Sequence, residues 1–281
     1  MALPQGAALA SDGPTVLEPS TSWNVDFAPT KCRLSRLFGS GDDQHLLFIE
    51  QSRPSDTFGL TVAGAEFERF RGRYRTHLQF FGEQTPHRTE PFKGNVGEFG
   101  EAMIYSSISL KSGDEAGAPD ETGLAALPQL DPAFANQVEF VELKQGKRSV
   151  RLETGPLGEA FKVLNQCTQD MIREWGLDVE KHLTATKLPT WTNQSAVVRR
   201  IQATYPRQAL RQGEQGIMRL RVTVDETGKV SDCVINNATI QDDLESPACR
   251  EMRKAKFEPA LDADRQPFKS YYANTITYRI G

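Results

Sequence analysis

Residues 217–225 read Ile-Met-Arg-Leu-Arg-Val-Thr-Val-Asp, and their apolar and polar side chains alternate. Successive side chains of a β-strand point to opposite faces of a sheet, so this pattern predicts a strand with one buried face. The predicted buried face comprises Met218, Leu220, Val222 and Val224, and the predicted outward face Arg219, Arg221 and Thr223. Gly228 then marks a turn, and a second strand is expected from Lys229 to Asn236.

The residues on either side of this hairpin predict one small domain over residues 194–281. A Tyr205-Pro206 pair precedes the hairpin in a helical segment, and Leu244-Glu-Ser-Pro-Ala248 opens a second helix that runs to about Lys254. Ser246 is the expected N-cap of that helix, with Pro247 at its first position. A last alternating strand is expected from Ser270 to Ile280. The prediction is an α+β, two-layer domain with a three-stranded antiparallel sheet and two helices.

These motifs resemble the C-terminal domain of TonB, the periplasmic energy transducer. The resemblance rests on the Tyr-Pro pair, the Val-Asp-x-x-Gly turn, the Leu-opened helix and the Phe257-x-Pro-Ala260 exit. It implies a module that binds an extended segment of an envelope protein or peptide by strand addition. The partner-binding residues that it implies are Tyr205, Pro206, Tyr271, Tyr272, Asn274, Ile276 and Tyr278. Two alternatives remain: a different two-layer domain, or a last strand whose edge is covered by the N-terminal domain.

Two features depart from the resemblance. The sequence contains neither a membrane anchor nor the long Pro-rich spacer of an energy transducer, and Ala255 stands where an aromatic residue is usual. We therefore expect a binding module that is not coupled to the energy source of the transducer.

Upstream, residues 22–183 predict an antiparallel β-rich domain closed by one long helix. Short apolar segments separated by turn signals indicate the strands. The helix is indicated by apolar residues at three- and four-residue steps between Pro156 and Gly176. Residues 184–193 are expected to be a short linker. Residues 1–21 are expected to be a disordered lead with a signal-peptide remnant, because Ala8-Leu-Ala10 fits a signal-peptidase site; a merely flexible tail is the alternative.

The four cysteines predict two disulfides. Cys233 lies in a predicted strand and Cys249 one turn into the helix that must pack on that sheet, so these two are expected to pair. Cys32 and Cys167 then pair across a long loop. Disulfides suit an oxidising compartment, which supports a periplasmic location. Four buried reduced thiols are the alternative.

Four arginines occupy alternate positions: Arg69, Arg71, Arg73 and Arg75. In a strand they would project from one face and form a patch for an anionic ligand. A solvated strand face, paired with nearby acidic residues, is the alternative interpretation.

Composition and motifs narrow the range of possible functions. A net charge of −4 argues against nucleic acid as a partner. Scattered histidines and missing hydrolase and nucleotide-binding motifs predict no metal, no cofactor and no catalytic residue. The leading hypothesis is a non-catalytic periplasmic interaction protein. The alternatives are an auxiliary of TonB-dependent outer-membrane transport and a hydrolase of cell-wall or peptide substrates.

Overall fold

A computed structural model describes residues 13–41, 43–70, 74–111, 127–204, 216–237 and 247–278. The protein is α+β, with most of its regular structure in sheets. We propose two domains, which meet at residues 183 and 184. Strand and helix labels run in chain order through both.

The N-terminal domain contains two sheets and one long helix. Its strands are β1 (Thr15–Leu17), β2 (Asn24–Ala28), β3 (Lys31–Ser40), β4 (Asp43–Gln51), β5 (Phe58–Ala63), β6 (Thr76–Gln79), β7 (His87–Thr89), β8 (Phe92–Asn95), β9 (Glu101–Ile108), β10 (Val141–Gln145) and β11 (Arg148–Leu152). Its helices are α1 (Ala65–Glu68), a 3-10 turn (Gly97–Phe99), α2 (Pro132–Ala135), α3 (Gly158–Glu174) and α4 (Val179–Leu183).

The two sheets and α3 enclose one core. The larger sheet has the order β2-β3-β4-β5-β9-β8 and is antiparallel, and the smaller has the order β1-β11-β10-β6-β7. Both contribute buried side chains, among them Leu47 and Leu143, and α3 adds Phe161 from its apolar stripe. Because α3 lies on β3, the Cys32–Cys167 disulfide can join them, as the sequence predicted.

The C-terminal domain contains the elements predicted for it and two extra strand pairs. Its elements are β12 (Thr190–Trp191), α5 (Gln194–Ala203), β13 (Gly216–Val224), β14 (Val230–Asn237), α6 (Ala248–Met252), β15 (Phe257–Glu258), β16 (Ala260–Leu261), β17 (Pro267–Phe268) and β18 (Ser270–Tyr278). The main sheet has the order β14-β13-β18, and both of its pairings are antiparallel. The Cys233–Cys249 disulfide joins β14 to α6, again as predicted.

The turn between β13 and β14 shows why its glycine is needed. Asp225 Oδ1 accepts hydrogen bonds from the backbone N–H groups of Thr227 and Lys229. Gly228 has a φ of 81°, and a Cβ built there would lie 1.9 Å from the carbonyl oxygen of Phe257. Only glycine meets both conditions, so this motif links the hairpin to the chain that follows α6.

Three predicted segments differ in the structure. The lead predicted over residues 1–21 contains β1, which pairs in parallel with β11 from Thr15 to Leu17. The predicted linker is joined to the C-terminal domain, since β12 pairs with β15 and the Thr186 N–H donates to the Leu261 carbonyl. The helix predicted after Leu244 begins at Ala248, with Pro247 as its N-cap residue; Ser246 lies outside the described residues.

Candidate partner-binding edge

The last strand, β18, lies at one side of the C-terminal sheet, where the sequence placed a binding edge. Among the described residues it pairs only with β13, in register from Gly216↔Tyr278 to Val224↔Ser270. An unpaired strand edge exposes backbone N–H and C=O groups that another extended chain can bind. The strand β14 forms the opposite side of the same sheet.

One face of this sheet packs on the helices. Val222 of β13 is fully buried there, with Val197 of α5 and Met252 of α6. Tyr272 belongs to this face, and its ring lies 5.5 Å from that of Trp191 and 5.2 Å from that of Phe257. Tyr272 therefore contributes mainly to the core of the domain, although its hydroxyl accepts a hydrogen bond from Asn274 Nδ2.

The N-terminal domain covers the opposite face. Tyr271 is 8% exposed, and its ring centroid lies 5.0 Å from that of Trp175 and 5.5 Å from that of His182. The guanidinium of Arg221 lies 4.5 Å from the centre of the Trp175 ring. We call the contact made by Glu50, Trp175 and His182 with this face the domain junction. Burial raises the pKa of Tyr271 well above its ordinary value.

The role of Tyr271 in partner binding stays a prediction, and the burial of its ring leaves only its backbone for that role. Neighbouring side chains of β18 alternate, so Tyr271 and Tyr272 cannot share a face. Tyr271 points to the domain junction, and Tyr272 points to the helices. The Tyr271 ring is buried, whereas the side chains of Tyr272, Asn274 and Ile276 are half-buried.

A neutral histidine joins α4 to β18 at the domain junction. The carbonyl of Asp178 can only accept, so His182 Nδ1 donates to it across 2.5 Å. His182 Nε2 then accepts from the hydroxyl of Ser270, 2.8 Å away. Both His182 and Ser270 are fully buried. Burial lowers the pKa of His182 below its ordinary value of 6.5, even though Asp178 opposes this shift.

Acid should weaken the protein through this histidine. As the pH falls through 6.5, the unfolded chain binds a proton at His182 before the folded chain does, so the free energy of unfolding decreases. We expect this decrease between about pH 7.5 and 5.5 in urea unfolding, and a weaker pH dependence for His182→Gln, which has no titrating ring. A variant with the same pH dependence as the wild type would contradict this role.

A buried carboxylate connects the two domains. Glu50 of β4 is 8% exposed. Its Oε2 accepts from Arg33 Nε at 2.9 Å and from Arg33 Nη2 at 2.7 Å, and its Oε1 accepts from Arg219 Nη2 of β13. Burial alone would raise the pKa of Glu50, but the charges of Arg219 and Arg33 outweigh it and hold that pKa below its ordinary range. Arg219, which the sequence predicted to face outward, thus forms an ion pair between the two domains.

The remaining predicted binding residues are only partly placed. Tyr205 and Pro206 lie outside the described residues, and Tyr278 ends β18. The predicted strand with the arginine patch does not include Arg69. This residue is the C-cap residue of α1 and has a helical φ of −75°. Arg71 and Arg73 lie outside the described residues. Arg75 forms an exposed ion pair with Glu90 at 3.4 Å.

The sequence did not reveal the role of Glu50, Trp175 or His182. In the sequence, Trp175 fits the apolar stripe of the predicted long helix, and His182 is one of four scattered histidines. One signal was present. Glu50 directly follows the mostly apolar run His45-Leu-Leu-Phe-Ile49, and a charged side chain in a buried strand needs a partner. Within the described ranges, no group of three or more His, Cys, Asp or Glu residues is placed to hold a metal ion. No described helix has the length and apolar character needed to cross a membrane.

One family comparison bears on this edge. Residues 201–280 match the model of the family described as Gram-negative bacterial TonB protein C-terminal. The matched range contains α6 and all of the β14-β13-β18 sheet. No curated protein matches the chain.

Proposed function

From the membership of residues 201–280 in the TonB C-terminal domain family, we propose that the protein is a non-catalytic periplasmic interaction protein. Domains of this family are envelope-associated protein-interaction modules. In our proposal, an extended segment of an envelope partner adds to β18 as a fourth strand. The observation that carries this proposal is the pairing of β18, which within the described residues involves β13 alone.

The domain junction supports β18 over β14 as the binding edge. One face of β18 is fixed by Tyr271, which lies between Trp175 and His182, and the other by Tyr272, which lies against Trp191 and Phe257. A strand held on both faces loses little conformational entropy when a partner pairs with it. The two disulfides suit the oxidising environment of the periplasm.

Two neighbouring proline substitutions test the edge. In an antiparallel strand, the N–H groups of adjacent residues point to opposite sides, so of Ala273 and Asn274 one faces β13 and the other faces the open edge. Proline at the inward position removes a ladder hydrogen bond and should lower the melting temperature. Proline at the outward position should leave the protein stable, because an edge strand tolerates proline there.

We expect the stable proline variant to lose binding to peptides selected on the wild-type protein. The probe is a phage-displayed library of random peptides of about 12 residues, long enough to pair along a strand of ordinary length. Fluorescence anisotropy of the selected peptides then measures Kd for each protein. The matched controls are two single variants of β14, Val234→Pro and Ile235→Pro. If no peptide is selected, or if only the β14 variants lose binding, strand addition at β18 is wrong.

A further inference from the structure

A small polar cavity lies where the N-terminal domain meets β18. It has a volume of about 30 Å³, and most of the residues that line it are polar. The N-terminal domain contributes Glu50, Gln51, Arg53 and Thr57 among others, and the C-terminal domain contributes Arg219 and Thr275. Thr275 belongs to β18, so the cavity adjoins the strand that we propose as the binding edge.

An arginine without a paired carboxylate lies in this wall. Arg219 pairs with Glu50, which it shares with Arg33, whereas the guanidinium of Arg53 makes no hydrogen bond or ion pair with any described residue, and Asp56 acts on its charge only from a longer distance. Burial lowers the pKa of Arg53; Tyr271, Tyr272 and Asp56 oppose this shift, and the charge of Arg219 adds to it. A half-buried charge that has lost water and gained no hydrogen-bonded counter-ion is costly, so this position favours an anion.

A buried acceptor in the same wall also lacks a partner. Gln51 is 3% exposed, and its Nε2 donates to the carbonyl oxygens of Ser55 and Thr57, both at 2.8 Å. These two bonds fix the direction of the amide. Its Oε1 is buried and has no partner among the described residues. The cavity wall therefore contains an arginine without a hydrogen-bonded counter-ion, and a buried acceptor without a partner belongs to a residue of the same wall.

The size of the cavity limits what can neutralise Arg53. A volume of about 30 Å³ holds roughly two water molecules, or one group of similar size such as a carboxylate, but not a sugar or a nucleotide. A guanidinium binds a carboxylate through two parallel N–H···O bonds. A peptide that carries a carboxylate can therefore supply the counter-ion that Arg53 lacks.

We propose that this cavity binds a carboxylate of the partner segment, with Arg53 as its counter-ion. The inference rests on the proposed function, because it takes the carboxylate from a strand paired with β18. Such a strand would lie about 4.8 Å from β18, so a side chain beside Thr275 can reach the cavity. An aspartate or glutamate side chain and a C-terminal carboxylate share this chemistry.

Peptides selected on the wild-type protein test the proposal in a double-mutant cycle. Each acidic residue is changed to its amide, and separately the C-terminus is amidated. One of these changes should weaken binding to the wild type by roughly ten- to a hundredfold, the range expected for a hydrogen bond to a charged group. The same change should have little effect on binding to Arg53→Gln. Arg53→Lys, which keeps the charge but not the paired donors, should show an intermediate effect.

Arg75→Gln is the matched control, because it removes an arginine of an exposed ion pair remote in sequence from the cavity. It should bind every peptide as the wild type does. Binding to Arg53→Gln that depends on the peptide carboxylate as strongly as binding to the wild type would overturn the proposal. So would selected peptides whose affinity depends on no carboxylate.

A second probe separates failure of this inference from failure of strand addition. Sodium acetate is titrated into isotope-labelled protein while the side-chain Nε–H resonance of Arg53 is followed by NMR, with sodium chloride as the ionic-strength control. A saturable shift of that resonance with acetate alone supports the carboxylate site even if no peptide is selected. A shift that is absent, or equal in the two salts, counts against the carboxylate site even if peptides bind to β18.

Discussion

Replacing Cys32 and Cys167 together by alanine should lower the free energy of unfolding by about 5 kcal/mol. The disulfide joins β3 to α3 across a sequence separation of 135 residues. In the chain-entropy model, the benefit of a cross-link grows with the logarithm of the loop that it closes in the unfolded chain. Both sulfur-bearing side chains are also buried, at 0% and 3% exposure, so truncation removes packing in the same region.

The second disulfide provides the matched control. Cys233 and Cys249 are separated by 16 residues, for which the same model gives about 3 kcal/mol. Each double variant removes the same atoms, so the difference between them reports mainly loop length and burial. Urea unfolding followed by circular dichroism measures both losses, and mass spectrometry of the non-reduced wild type should find no free thiol. Equal losses, or a larger loss for Cys233 and Cys249, would contradict this account.

The predictions from sequence succeeded where a short pattern fixes the structure by itself. Alternation in residues 217–225 suffices to predict β13, because a two-residue period with one apolar face fits only a half-buried strand. Pro156 and Gly176 bracket α3 for a similar local reason, since Gly176 has a φ of 71° just beyond the helix. The pairing of Cys233 with Cys249 follows from the packing of a short helix on the strand before it.

The same reasoning did not reveal what covers each face. Alternation showed that Arg219 and Arg221 lie opposite the apolar face, and their charge suggested solvent. In the structure, Glu50 and Trp175, more than 40 residues away in the sequence, meet these arginines. A local pattern carries no information about a contact between domains. Leu127 shows the same limit, since it lies in a stretch without apolar periodicity and yet is buried at the domain junction.

The sequence pattern behind the predicted arginine patch was less specific. Four charged residues at alternate positions fit one face of a strand, but alternation of polar residues without an apolar face also occurs where a helix ends and a turn begins. Phe70 is buried and Tyr74 is 57% exposed, so the aromatic residues of this segment do not form one buried face. The pattern lacked the buried face that made the prediction of β13 secure.

Replacing Glu50 by alanine should lower the free energy of unfolding by about 3 to 5 kcal/mol, because it leaves both Arg33 and Arg219 without their buried counter-ion. Arg219→Ala should cost less, since Glu50 keeps its two hydrogen bonds with Arg33. Glu258→Ala, which breaks an exposed ion pair with Lys187, should cost no more than about 1 kcal/mol. Urea unfolding at neutral pH measures all three.

The pH dependence distinguishes lost charge pairing from lost packing. The pKa of Glu50 is held below its ordinary value of 4.5, so its stabilising effect is complete above that pH. That effect decreases as the pH falls through the lowered pKa and Glu50 binds a proton. The difference between wild type and Glu50→Ala should therefore shrink in acid, because the wild type then also lacks the buried negative charge. A difference that stays constant from neutral pH into acid would show that Glu50 acts through its packing, and the domain junction would then be held by Trp175, Tyr271 and His182 without an ionic link.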